Sequence, residues 1–463
     1  MTTNLTDSVG AQPRLSRGIY FGYALGSVGT GGFATVPGLL LAFYLTNSLG
    51  VTASLAALVV LFPKLWDVIF LPIVGNWSDK AARKSGTRRP FLLAGGLLLP
   101  IFFILMFAVP ASASSGVAAA WVFVAFLLAA SAFAIFQVPY IAIPAEITDS
   151  SKERTSIMAY RVAFLTVAIL IFGAGAPAVR DAFGGAHKGY LIMAIFVATL
   201  IAVGMIGCWW GIRKAKTLHV AETESTFREQ FAVVRKNRSF RILLAAFFLQ
   251  ALATSAMLAG AQYYATYVLG NPKMFIELFL ALVLPGLLFM PMWAKVSHKV
   301  GKKRGFLYAS IIFIVGSLLL AFGRVLPDVG VLLLVAFVGI AYAGMQMFPL
   351  SMLPDTIAAD AVHSGPGRAG AHTGFWTAGE TTGFAIGPAI VLALLAVTGF
   401  VSSKADEAVA QPASAITGTV LIFSVLPAVL AMISLPFVLK YDLTPERMAE
   451  IEAATTEQEG APA

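Results

Sequence analysis

Residues Phe62–Phe91 read FPKLWDVIFLPIVGNWSDKAARKSGTRRPF. The first half is apolar enough to lie in hydrocarbon, yet it holds Lys64 and Asp67 three residues apart. The second half is a short segment dense in Lys and Arg. Ionisable side chains inside a bilayer are costly, so a charge pair in such a span points to function.

The rest of the chain supports the membrane reading. Of its 463 residues 58% are hydrophobic and 12% charged, and the mean hydropathy is +0.83. Soluble domains carry roughly twice that charged share. The apolar runs are long and lack alternation of period two, which predicts helices rather than a barrel. The expected class is an all-α integral membrane protein.

Twelve spans are predicted: 18–45, 52–77, 89–110, 117–145, 157–180 and 189–212, then 239–269, 273–296, 305–326, 329–353, 372–398 and 414–439. They divide into two six-helix halves, 18–212 and 239–440, joined by a polar linker at 213–238 and flanked by tails at 1–17 and 441–463. The halves echo each other. Trp77–Phe91 (WSDKAARKSGTRRPF) is similar to Trp293–Phe306 (WAKVSHKVGKKRGF), and Gln137-Val-Pro139 to Gln346-Met-Phe-Pro349. Each member of the second echo continues to a further proline and then an acid, Pro144 and Glu146 or Pro354 and Asp355. Such repeats build two-halved transporters.

The net charge of +9 could suggest nucleic acid, but its distribution argues against that partner. The loops after even-numbered spans, the linker, the tails and the adjoining span edges hold 25 of the 32 Lys and Arg. The opposite loops hold five: Arg180, Lys188, Lys273, Arg324 and Lys404. The positive-inside rule then puts both termini in the cytoplasm of a multi-pass cell-membrane protein, surrounded by lipid and expected to act as a monomer. The first 17 residues lack an apolar signal core, so the first span is expected to insert as its own signal. One cysteine, Cys208, excludes an intrachain disulfide. The five histidines are scattered and no nucleophile–base signature stands out, so no metal site, cofactor or catalytic centre is predicted.

Asp67 lies about 12 residues from one end of its span and about 15 from the other, near the bilayer midplane at roughly 1.5 Å per residue. Lys64 shares its helical face. An isolated carboxylate in hydrocarbon takes up a proton, whereas a neighbouring ammonium holds it ionised. A proton or metal cation can then compete with Lys64 for Asp67, which is the physical core of ion coupling. The plainer alternative is a pair that only fixes helix packing.

Other polar groups in the spans are candidates for a solute cavity: Gln137, Tyr140, Gln250, Gln346, Trp376, Glu380 and Thr381. Trp376 can stack on a sugar ring, and Glu380 can serve as a second proton site, a solute contact or a partner for the other half. Each polar side chain can equally be a bond between helices. Asp79 sits at the end of its helix, where a carboxylate opposes the macrodipole unless a basic residue holds it. With Arg83, Arg88 and Arg89 it is expected to form a cytoplasmic latch, and Glu146 and Arg161 a neighbouring gate pair.

These features resemble the glycoside–pentoside–hexuronide:cation symporters of the major facilitator superfamily. That family's second helix and following loop run Arg-x-x-Asp-x-x-x-Asp-Pro-x-x-Gly-x-x-x-Asp, then basic residues, then Gly-x-Arg-Arg-Pro. Lys64, Asp67, Pro72, Gly75, Asp79, Gly86, Arg88, Arg89 and Pro90 match at nine positions, with Lys for the first Arg. Weaker matches run from Gln137 through Arg161 and from Arg368 to Trp376. The resemblance implies cation-coupled symport of a sugar or glycoside by alternating access. The family's second carboxylate in this helix is Leu71 here, its fourth-helix acid is Gln137, and its eleventh-helix lysine falls near Thr381. One carboxylate suffices for a proton but supplies few hard oxygens for sodium, so H⁺ is favoured over Na⁺. The missing sugar-reading acids and the 35 Phe leave open a rival reading, a transporter or exporter of amphipathic, lipid-like or drug molecules.

Overall fold

The computed structural model describes residues 15–148, 150–215, 217–218, 227–364, 369–405, 407, 409–443, 447 and 450. The N-terminal tail before Leu15, the linker centre at 219–226, Arg368 and the end of the C-terminal tail lie outside them. Among the described residues the chain is helical, apart from one isolated bridge between Leu49 and Lys404. Long apolar runs leave no other way to satisfy the backbone in lipid.

Helix α1 (Arg17–Val36) passes through a π-helical turn at Pro37–Leu41 into α2 (Ala42–Asn47). The first group is completed by α3 (Ala53–Ser85), α4 (Arg89–Phe107), α5 (Ser115–Ile147), α6 (Ser151–Ala182) and α7 (His187–Gly211). Within the linker, α8 spans Phe227–Lys236. The second group begins with α9 (Arg238–Tyr263), then α10 (Met274–Leu288), α11 (Met290–Val300) and α12 (Lys302–Leu319). It ends with α13 (Asp328–Ser364), α14 (Ala369–Val397), α15 (Ala413–Val420) and α16 (Leu426–Lys440).

Several predicted boundaries change: α13 runs on to Ser364 where 353 was expected, and α6 begins at Ser151 where 157 was expected. The second span was expected to end at Trp77, but α3 continues to Ser85, because Ser78–Ser85 are compatible with a helix projecting beyond the apolar layer. It stops at Gly86, whose φ of +70° only glycine adopts readily and whose N–H reaches Ala82 O at 2.7 Å. The echoed turn also stops at a positive-φ glycine, Gly301, φ +83°, bonded to Ser297 O at 2.9 Å, though with an extended ψ. The predicted span 273–296 is bent by 49° between α10 and α11. Pro285 and Pro291 bracket that bend, and each removes a helical donor. Among the described residues eleven helices are long and apolar enough to cross a membrane, or twelve counting this bent pair as one span.

Within the first group α1 packs on α6 and α7, and α4 and α3 pack on α5. Within the second, α9 packs on α14 and α16, and α13 on α10 and α12. Glycines allow backbone contact: a Cβ at Gly22 would come 2.7 Å from Gly211 Cα, so α1 and α7 touch directly. The two groups meet where α3 lies along α14 and where α6 approaches α10.

Candidate functional site

Helix α3 carries Lys64 and Asp67 between two prolines, Pro63 and Pro72. Lys64 Nζ lies 3.8 Å from Asp67 Oδ2. The ammonium also sits 5.2 Å from the Phe33 ring centre and 5.5 Å from that of Phe126. Aromatic faces attract a cation and fix its place. Asp67 is 7% exposed, and its Oδ1 has no hydrogen-bond partner among the described residues. The carboxylate thus keeps one oxygen open to a proton, a cation or a hydroxyl. Trp66 beside it donates Nε1–H to Ser131 Oγ at 2.9 Å and stacks on Phe70, which ties α3 to α5.

The predicted cavity residues separate into two kinds. Gln250 donates Nε2–H to Ser310 Oγ at 2.9 Å and to Ser434 Oγ at 3.0 Å. It is fully buried, and its amide nitrogen joins α9 to α12 and α16. Tyr140 is buried against α1, sharing a 2.9 Å bond with Ser27 Oγ and stacking on Tyr23. The Tyr140 hydroxyl and the Gln250 Nε2 are thus engaged within their own groups, whereas Gln250 Oε1 is buried without a partner among the described residues.

The others keep free polar atoms or open surface. Gln137 Oε1 and Trp376 Nε1 are buried without partners among the described residues. Trp376 stacks on Phe247 at 4.4 Å between ring centres, so its broad face is occupied by protein. Gln346 is half-buried and donates Nε2–H to Tyr342 Oη at 3.2 Å. Glu380 is half-buried and Thr381 exposed on α14.

The gate residues are also redistributed. Arg88 Nε donates to Glu146 Oε1 at 2.6 Å, Nη1 donates to Ser78 Oγ at 2.8 Å, and the same guanidinium pairs with Asp79. Arg88 and Glu146 are each 3% exposed. This cluster ties α3, the turn before α4, and α5 together within one helix group. Arg89 turns to the Arg213 carbonyl at 3.2 Å, and Arg83 is exposed. Arg161 is not the partner of Glu146, whose carboxylate Arg88 already holds. Its guanidinium instead lies 5.5 Å from the Tyr140 ring centre.

The bonds that do cross between the groups lie at the opposite end, where basic residues are few. Thr46 Oγ1 and Tyr263 Oη are 2.7 Å apart, and Asn47 Nδ2 donates to Tyr267 Oη. Ser403 N–H donates to Thr46 O at 2.9 Å beside the Leu49–Lys404 bridge. Arg180, 4% exposed, reaches Gln262 Oε1 at 3.3 Å with both Nη atoms, while its Nε holds Asp181 at 2.7 Å. Together these bonds form a seal between the two groups at this end. Sequence reading counted Arg180 only as a loop charge and missed Thr46, Asn47, Tyr267 and Ser403. A lone Arg followed by Asp at a poorly charged end was the one available signal.

The comparisons with known proteins bear on this scaffold. Residues 22–445 match the family described as MFS/sugar transport protein. The chain is 24% identical to the glucuronide carrier protein homolog of Escherichia coli (strain K12), over 93% of each chain. It is 24% identical to the sodium-dependent lysophosphatidylcholine symporter 1 of Mus musculus, over 69% of this chain and 66% of that one. A solved structure of a bacterial homolog to the human lysosomal transporter Spinster, inward-facing and unoccupied, superposes with a TM-score of 0.64 at 14% identity. That superposition covers 92% of this chain and 98% of the other, and it supports the major facilitator fold. The family match agrees with the pattern in Phe62–Phe91: the chain belongs to the MFS/sugar transport protein family, whose members are transporters and not enzymes, within the glycoside–pentoside–hexuronide:cation type of the major facilitator superfamily.

Proposed function

We propose that this protein is a proton-coupled symporter of a sugar, glycoside or related small polar solute, working by alternating access. The observation that carries the reading is the Lys64–Asp67 pair: buried, internally matched, and with Asp67 Oδ1 left open. A proton arriving at Asp67 displaces Lys64 electrostatically and alters charge at the centre of α3, which lies along α14 of the other half. Gln137 Oε1 and Trp376 Nε1 supply an acceptor and a donor for solute hydroxyls. With both termini in the cytoplasm, the Thr46–Tyr263 seal closes the outer side and the solute path opens inward.

The test is uptake in proteoliposomes with an imposed pH gradient, using a panel of labelled β-glucosides, β-glucuronides and β-xylosides. Wild-type protein concentrates at least one of them when the gradient is present. Asp67→Asn keeps solute exchange and loses concentration against a gradient. Unimpaired concentrative uptake by that variant overturns the coupling assignment. A sodium gradient that drives uptake where a proton gradient does not overturns the choice of ion.

A second reading is favoured by the similarity to a lysophosphatidylcholine symporter. In it the solute is amphipathic, with its polar end near Asp67. The same vesicles loaded with labelled lysolipid separate the two, because only the occupied reading yields saturable, gradient-driven transfer.

A further inference from the structure

We propose that His372 is a pH-sensing residue at the basic-rich end of the second helix group, which on taking up a proton leaves Asn237 of α9 for Asp360 of α13. The device goes beyond the transporter reading and holds whichever group couples transport.

His372 opens the membrane-length part of α14 and is completely buried. Phe240 of α9 meets its ring edge-on at 4.8 Å between centres. Its Nε2 has two polar neighbours at different distances, Asn237 Nδ2 at 3.2 Å and Asp360 Oδ2 at 3.9 Å. Asn237 is the N-cap of α9. Its Oδ1 accepts from Phe240 N–H at 2.9 Å, and its Nδ2 donates to Thr356 O of α13 at 2.9 Å. Those two backbone partners fix which end of the amide is which. Nδ2 has only hydrogens to offer, so the ring nitrogen facing it is the bare one. The ring is therefore neutral, with its proton on Nδ1.

A second proton, taken from water at this end, goes to the bare Nε2. Asn237 Nδ2 and the new N–H are then two donors facing each other. Asp360 Oδ2 becomes the acceptor once ring and carboxylate close from 3.9 Å to hydrogen-bond distance. A bond between two charged partners is stronger than one between neutral groups, so the protonated ring goes to Asp360. The exchange draws the start of α14 onto α13. It also takes from Asn237 the neighbour that steadies its amide, which loosens the cap on α9 and the anchorage of the linker helix α8. Histidine is the side chain suited to make such a change between about pH 5 and 8.

The other charged groups on the surrounding elements are placed elsewhere. Arg238 and Arg241 on α9 are exposed, as are Arg235 and Lys236 on α8. On α13, Asp355 is held by Lys302. On α14, Glu380 lies eight residues further along. Helix α3, which lies along α14, carries the Lys64–Asp67 pair, Asp79 on Arg88, and the exposed Lys80, Arg83 and Lys84. After α16, Asp442 accepts from Ser239.

The test follows the ring itself. Full-length protein with His372 as its sole histidine (His187→Gln, His219→Gln, His298→Gln, His363→Gln) is labelled at the ring nitrogens and reconstituted in lipid. Magic-angle-spinning NMR then distinguishes bare, proton-bearing and charged ring nitrogens between about pH 8 and pH 5. A bare Nε2 beside a proton-bearing Nδ1 is expected at high pH, and protons on both at low pH. Asp360→Asn is expected to move that change to lower pH, because the charged ring then lacks its carboxylate. In wild-type protein, deuterium exchange of the peptide containing Phe240, corrected for the intrinsic rate, is expected to quicken several-fold on acidification. In His372→Gln it is expected to hold one rate. The ring spectrum needs no substitution at residue 372, so it decides the matter even where His372→Gln fails to fold. A proton-bearing Nε2 at high pH, a ring that does not titrate in this range, a titration indifferent to Asp360→Asn, or an exchange response that persists in His372→Gln overturns the proposal.

Discussion

Thr46 and Tyr263 share a 2.7 Å hydroxyl contact across the two halves of the protein. Thr46 also accepts through its carbonyl from Ser403 N–H at 2.9 Å. The end of α2 therefore engages α9 and the loop after α14 together. Any state open on this side must break both contacts, together with Asn47–Tyr267 and Arg180–Gln262.

The first prediction uses the bridge beside that contact. Leu49 and Lys404 pair in antiparallel fashion, which places Cα atoms about 4.5–5.5 Å apart, within disulfide range. Leu49→Cys with Lys404→Cys is expected to form a disulfide under mild oxidation and to arrest solute uptake, with reductant restoring it. Cys208 is buried and does not compete. Full uptake with the cross-link in place would show that this end need not open.

Gly173 on α6 provides a second test. A Cβ there would fall 2.0 Å from Phe279 Cζ on α10, so the halves meet at this point only because residue 173 lacks a side chain. Gly173→Leu is expected to wedge this end apart. Labels at residues 49 and 404 would read a longer distance by pulsed electron resonance, and the cross-link above would form more slowly. An unchanged distance would mean that Phe279 yields instead.

Much of this architecture was legible in the residues. Twelve apolar runs of membrane length, a basic linker and two echoed basic turns carry the fold, because hydrocarbon forces helices and glycine forces their ends at Gly86 and Gly301. The Lys64–Asp67 pair was legible because i and i+3 share a face on any helix. Partners between helices were not. Glu146 was assigned to Arg161 by level in the membrane, but rotation about each helix axis gives it to Arg88. The seal was invisible because Thr46, Asn47 and Tyr267 are ordinary residues at span ends, and only the packing of one half on the other makes them meet.

Gln250 yields a prediction that separates packing from solute binding. Its amide donates to Ser310 and Ser434 in a fully buried site. Gln250→Leu leaves two serine hydroxyls short of a partner, at a cost of about 1–3 kcal/mol. The variant is expected to melt at a lower temperature in detergent and to keep the wild-type KM for whichever solute is transported. A raised KM with an unchanged melting temperature would place Gln250 in the cavity.

The Arg88–Glu146 contact closes the argument on α3. Both side chains are 3% exposed and 2.6 Å apart, so removing either charge strands the other in a poorly solvated site. Breaking such a pair costs about 3–5 kcal/mol, whereas replacing both partners with apolar groups is often nearly neutral. Glu146→Leu is expected to lower the unfolding temperature steeply, with Arg88→Met close behind, although Asp79 and Ser78 then lose their shared partner as well. The double variant Arg88→Met, Glu146→Leu is expected to recover part of the loss, and a thermal-shift double-mutant cycle measures the coupling. Because the cluster lies within one half, the double variant should also retain the oxidative cross-link between residues 49 and 404. Loss of that cross-link in a well-folded double variant would mean that Arg88 and Glu146 do set the balance between the halves, as a latch would.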